Sequence, residues 1–224
     1  MATVSRAERG FRTTGDGRRG PVRHRLTVAD YYRMAEVGVL GRGERLELID
    51  GEIIDMSPIG VVHAAVVNVL VRHFARHLGG STFVSSQNPL RLDDENEPEP
   101  DLSILRPRAD CYAGGHPTSA DTLLVIEVAD TSLAFDLDTK VPLYARHGVP
   151  EVWVIEAATG RTHVFRTPME GVAGYSERRL LEADDPLPFT AFAGAEGEGS
   201  GVSLVKLLPV QFGSAGTGTD ATRR

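Results

Sequence analysis

The stretch that most limits the fold is Thr122 to Val128, TLLVIEV. Its aliphatic run from Leu123 to Ile126 leaves no polar side for water, so it predicts a strand buried on both faces. Glu127 then stands at the end of that strand. A carboxylate there loses hydration, a cost that must be met by a cationic partner, a metal ion or a path to solvent.

The segments around it supply the rest of an α/β domain. Thr27 can cap a helix with Asp30 three positions on, and Tyr31, Met34 and Ala35 share one face of it. RLELI, Asp50-Gly51 and EIIDM read as a hairpin, because Asp-Gly suits a tight primed turn. Val62, Val66, Val69, Leu70, Phe74 and Leu78 make an apolar stripe, which predicts a helix over 61–78. Short strands are expected over 82–86, 89–92 and 101–105, with an acidic, proline-bearing loop over 93–100. Pro142 is tolerated only in a first helical turn, so the next helix should begin near Asp138 and end near His147-Gly148. Strands are then expected over 152–156, 162–166, 175–181 and 202–208. That order predicts a mixed central β-sheet flanked by helices.

The 224 residues suffice for one domain with tails. Residues 1–24 lack periodicity and read as a disordered basic arm, and residues 211–224 as a disordered tail, around a domain over 25–210. Seven arginines fall within residues 1–25, a pattern that fits either a solvated tail or an arm that finds nucleic acid through its phosphates. The net charge of −7 does not favour a phosphate-bearing partner elsewhere. No apolar run approaches the ~20 residues of a membrane span, and no secretory apolar region follows the N-terminus. The single cysteine, Cys111, excludes an internal disulfide, so a cytoplasmic setting is expected.

Two further acids repeat the pattern of Glu127. Asp101 opens its strand directly after Pro100, and Glu47 sits between Leu46 and Leu48. Each alone fits a solvated carboxylate; hard oxygen donors converging on one point would suit Mg²⁺ or Mn²⁺. Lys140 would lie in a first helical turn, where a cation is disfavoured unless an anion is near. A phosphate fits that place, as does pairing with Asp136 at i−4. His73 and His77 lie at i, i+4 but lack a third ligand, and read as a solvated face. Cys111 has no evident basic partner, and Trp153 reads as core.

RLELIDGEIIDMSP, PEPDLSIL and LLVIEVADTSLAFDLDTKVPLYARHGVPEVWVIE occur in this order. Together they resemble the Uma2 family (DUF820) of the PD-(D/E)xK, restriction endonuclease-like superfamily, over roughly Leu26 to Tyr175. The resemblance implies that Asp101 is the central metal ligand and Glu127 the second acid. The superfamily's lysine normally stands two residues after that acid, where this chain has Ala129. Lys140 is its implied replacement, and Glu47 the implied accessory acid. Asp136, Tyr144 and His63 also fall at positions typical of the family. The implied activity is metal-dependent endonuclease hydrolysis of DNA phosphodiester bonds. Asp101, Glu127 and Glu47 would hold magnesium (or Mn²⁺), and Lys140 would serve catalysis. DNA is then the expected partner, a homodimer is compatible, and no membrane is involved. The rival reading is a non-catalytic module that keeps the nuclease fold to bind DNA or protein. Such a module has no physical reason to keep three mutually repelling acids together.

Overall fold

A computed structural model describes residues 22–41, 43–78, 82–188 and 202–208. Most of the expected basic arm and all of the expected C-terminal tail lie outside that range. Helix α1 (Val28–Glu36) starts as the sequence predicts: Thr27 Oγ1 accepts from the Asp30 N–H, and Asp30 accepts from the Thr27 N–H. Strands β1 (Leu46–Ile49) and β2 (Glu52–Asp55) form a separate antiparallel hairpin. Asp50 and Gly51 both have positive φ, 48° and 70°, as a type I′ turn requires.

Gly51 is held on its other side as well. A Cβ there would stand 2.6 Å from Arg25 Cβ and 3.0 Å from the Leu26 carbonyl oxygen. The Gly51 carbonyl also accepts from Leu26 N–H at 2.9 Å, so the approach cannot simply open. Gly51→Ala is therefore expected to cost about 1–3 kcal/mol in chemical denaturation. An unchanged midpoint would show that the contact with residues 25–26 gives way freely.

The main sheet has six strands in the order β3 (Phe83–Ser86), β4 (Leu102–Leu105), β5 (Thr122–Ala129), β6 (Glu151–Glu156), β7 (Thr162–Pro168), β8 (Tyr175–Leu181). All neighbours are antiparallel except β5 and β6, which are parallel and joined through a helix. The sheet is thus mixed, as expected. Strand β5 lies between β4 and β6, buried on both faces. Leu124, Ile126 and Val128 pack with α2 (Val61–His77) through Val66, Leu70 and Phe74. Val125 and Ala129 pack on the opposite side with Val141, Tyr144 and Ala145. A register shift opposite Ile104/Leu105 leaves Leu123 without a partner, and it joins the α2 side instead.

The connection from β5 to β6 departs from expectation. Helical backbone begins at Leu133, not near Asp138, and runs through α3 (Leu133–Phe135), a π-helical turn (Asp136–Lys140) and α4 (Val141–Arg146). Val141 N–H bonds Asp136 O, five residues back, and Pro142 has no N–H with which to restore the four-residue pattern. The widened turn lets the proline sit inside a helix rather than at its start. Lys140 is consequently mid-helix, which removes the helix-terminus argument for an anion beside it. Gly148, at φ +73°, ends α4, and Val149 N–H reaches back to Tyr144 O.

Three other expectations fail locally. Residues 89–92 make only an isolated bridge, between Arg91 and Thr118. Residues 202–208 form the short helix α5 (Leu204–Leu207), because Ser203 Oγ caps it by accepting from Lys206 N–H. An apolar run that short carries no decisive period. His73 is buried, not solvated, with its ring 4.2 Å from that of the exposed His77. Burial lowers its pKa to about 4.

The acidic segment over 93–100 is irregular, as expected, but it is not a solvent loop. Asn96, Glu97 and Pro98 are buried. Glu97 N–H donates to Leu48 O, Asn96 Oδ1 accepts from Asp50 N–H, and Asp94 O accepts from Val28 N–H. This segment fastens the hairpin and α1 to the body that carries Asp101.

Candidate active site

Glu47, Asp101, Glu127 and Lys140 come from four separate elements and line one cavity of about 410 Å³. All four are at least 94% buried. Glu47 is brought by β1 once the 93–97 segment docks the hairpin. Asp101 immediately precedes β4. Glu127 lies on the face of β5 that Val125 and Ala129 share, toward the helical connection. Lys140 reaches it from the end of the π-helical turn.

The ammonium of Lys140 bridges two of the acids. Nζ donates to Glu47 Oε1 at 2.9 Å and to Glu127 Oε1 at 3.2 Å. It does not pair with Asp136, whose carboxylate accepts instead from Ser132 Oγ at 2.6 Å. Tyr144 hydroxyl donates to the same Glu127 Oε1 at 2.6 Å. Asp101 is held apart from this network: Oδ1 lies 2.9 Å from His63 Nε2, and Oδ2 accepts from Val128 N–H at 2.8 Å. Glu47 Oε2 is buried with no hydrogen-bond partner.

The cavity holds far more negative than positive charge. Seven carboxylate side chains line it, against Arg45 and Lys140 as permanent cations. Burial pushes the Glu127 carboxyl up to about 8; Lys140 opposes that rise, while Asp136, Asp101 and Glu47 add to it. Burial likewise raises Asp136 and Glu99. Burial also works against a charged Lys140, but Glu127, Glu47 and Asp136 outweigh it and raise its pKa. The two directions agree physically: one ammonium is well supplied with anions, and several carboxylates share one ammonium. At His63 burial opposes the charged ring, yet the hydrogen bond and charge of Asp101 raise its pKa overall.

Among the described residues, no three His, Cys, Asp or Glu side chains stand together as a ready metal site. The donor chemistry nevertheless fits a hard divalent cation. The candidate donors are carboxylate oxygens, Glu47 has a desolvated oxygen with no partner, and the surplus of negative charge is what a cation would offset. His63 and Tyr144 hold Asp101 and Glu127, contacts that sequence reasoning did not assign. Tyr144 could have been found from its i+4 spacing to Lys140, which puts both on one helical face. Nothing local in the sequence points His63 at Asp101.

The fold is similar to one known elsewhere. A model of the Uma2 family, described as "Putative restriction endonuclease", matches residues 28–202. A crystal structure described as "a putative nuclease belonging to DUF820 from Anabaena variabilis ATCC 29413" is similar at a TM-score of 0.61 and 16% identity. The match covers 84% of this chain and 99% of that one, and at such identity it speaks to the fold alone. No curated protein matches the chain. No described helix is long and apolar enough to cross a membrane.

Proposed function

The chain belongs to the Uma2 family, and from that premise we propose that it is a divalent-metal-dependent endonuclease that hydrolyses DNA phosphodiester bonds. The observation that carries this reading is the partnerless, buried Glu47 Oε2 beside Lys140, in a cavity lined by seven carboxylates. A phosphodiester is itself an anion and is repelled by such a lining unless a cation accompanies it.

Asp101 and Glu127, helped by Glu47, would hold Mg²⁺ or Mn²⁺. When bound, the ion supplies Lewis acidity, which activates water and offsets charge on the phosphate. The protein's own groups do the rest. His63 and Val128 N–H fix the Asp101 carboxylate from two sides. Lys140 stays protonated and offers positive charge to the phosphate oxygens as negative charge develops on them. Its burial keeps that charge from being screened by bulk water.

A plasmid-nicking assay tests the reading. Supercoiled DNA should be cut with Mg²⁺ or Mn²⁺, and the cutting should stop with EDTA. Asp101→Ala should abolish it while circular dichroism stays native. Cleavage that survives this substitution would place the chemistry elsewhere. Wild type that binds DNA without cutting it would favour the non-catalytic module.

A further inference from the structure

We propose that Tyr144 is a positioning residue of this site: with Lys140 it clamps one oxygen of Glu127 and thereby commits the other to the divalent cation. This inference rests on the metal-dependent reading above.

Tyr144 is fully buried, and its ring packs in the apolar layer with Val125, Val152 and Phe165. Phenylalanine would fill that layer without placing a hydroxyl out of water. The hydroxyl is instead directed at Glu127 Oε1, 2.6 Å away, where Lys140 Nζ also donates. Two donors on Oε1 satisfy that oxygen and leave Oε2 as the oxygen available for a ligand. Glu47 shows the same division: Oε1 accepts from Lys140, and Oε2 is the oxygen without a partner.

The second donor is needed because Lys140 is shared. Its ammonium stands closer to Glu47, at 2.9 Å, than to Glu127, at 3.2 Å. The terminal torsion of a glutamate is broad and nearly two-fold, so a carboxylate held by one shared donor can exchange its oxygens. Tyr144, four residues after Lys140 on the same helical face, supplies a contact that Glu47 does not compete for.

Tyr144→Phe tests this, with Mn²⁺ alone as the probe. Tyr175→Phe is the control: Tyr175 is also buried, and its hydroxyl donates to Val149 O at 2.8 Å, away from the site. Both variants should lose a similar small amount of thermal stability. Only Tyr144→Phe should weaken Mn²⁺ binding in calorimetry, by about 10- to 100-fold, the usual loss when a group orienting a ligand is removed. Its kcat on plasmid DNA should fall while KM for DNA stays near wild type. Wild-type Mn²⁺ affinity in Tyr144→Phe overturns the inference and leaves the metal reading standing. A wild-type protein that binds no Mn²⁺ removes both. A Tyr144→Phe chain that does not fold, beside a folded Tyr175→Phe, also overturns it, because the hydroxyl would then serve the fold.

Discussion

Lys140→Met is expected to melt well below wild type, by roughly 10 °C or more. The substitution keeps most of the side-chain volume and deletes the one charge shared by Glu47 and Glu127. Removing one partner from a buried ion pair costs about 3–5 kcal/mol, because the remaining charge is left uncompensated. For a chain of this size each kcal/mol moves the midpoint by about 2–4 °C. The deficit should depend on pH in a definite direction. Lys140 has a raised pKa, so in wild type its contribution is complete at every pH below its ordinary value of 10.5. In the variant the main influence lowering the Glu127 pKa is gone. Wild type itself holds the Glu127 proton up to about pH 8, so below that value both folded states carry it; above it only the variant does, and there the variant loses stability faster as pH rises. Melts at pH 7 and pH 9.5 should therefore show a smaller and a larger deficit respectively. Equal deficits would mean that the ammonium does not hold these carboxylates. Cleavage should drop by about 10²-fold or more even at temperatures where the variant is folded.

Glu127→Gln should move stability and activity in opposite directions. The wild-type carboxyl titrates near 8 in the folded state and near 4.5 when unfolded. Between those values the folded protein carries the extra proton, and raising the pH destabilises it by as much as ~1.4 kcal/mol per unit. The amide keeps an oxygen that can accept from Tyr144 and Lys140, and it has nothing to titrate. In EDTA the advantage of the variant over wild type should grow from pH 4.5 to pH 8 and then level off. Added Mg²⁺ should raise the wild-type melting temperature, since the ion binds the folded state, and should do much less for the variant. Cleavage should be lost in the same variant. A parallel fall in stability and activity would instead mark Glu127 as a structural acid.

The strand that carries Glu127 was legible because seven consecutive residues had only one way to be buried. The hairpin and α1 were legible because their turn and cap are written in adjacent residues, Asp50-Gly51 and Thr27 with Asp30. Family resemblance pointed to Glu47, Asp101, Glu127 and Lys140, and the fold brings all four to one cavity. What could not be read was how they are held. Glu47 meets Lys140 across 93 positions of sequence, and His63 meets Asp101 across 38. Such contacts follow from docking, not from local pattern. The helix boundary failed for a related reason. A proline rule that holds for an α-helix does not hold where the hydrogen-bond ladder has already slipped by one residue.

That slip separates two kinds of change that the site can tolerate. Of its acids, Glu47 and Glu127 are fixed by strand pairing, where a shift of one residue turns every side chain to the opposite face. Its cation is delivered by a helix that already contains one residue more than a regular turn needs. The spacing between Glu127 and Lys140 is thus an adjustable length on a rigid frame. Removing a single residue between Asp136 and Lys140 would turn the ammonium elsewhere and set Pro142 inside a regular turn, where its ring clashes with the preceding carbonyl. The identity of the lysine and the phase of the turn are separate requirements, and a chain can keep the first while losing the second.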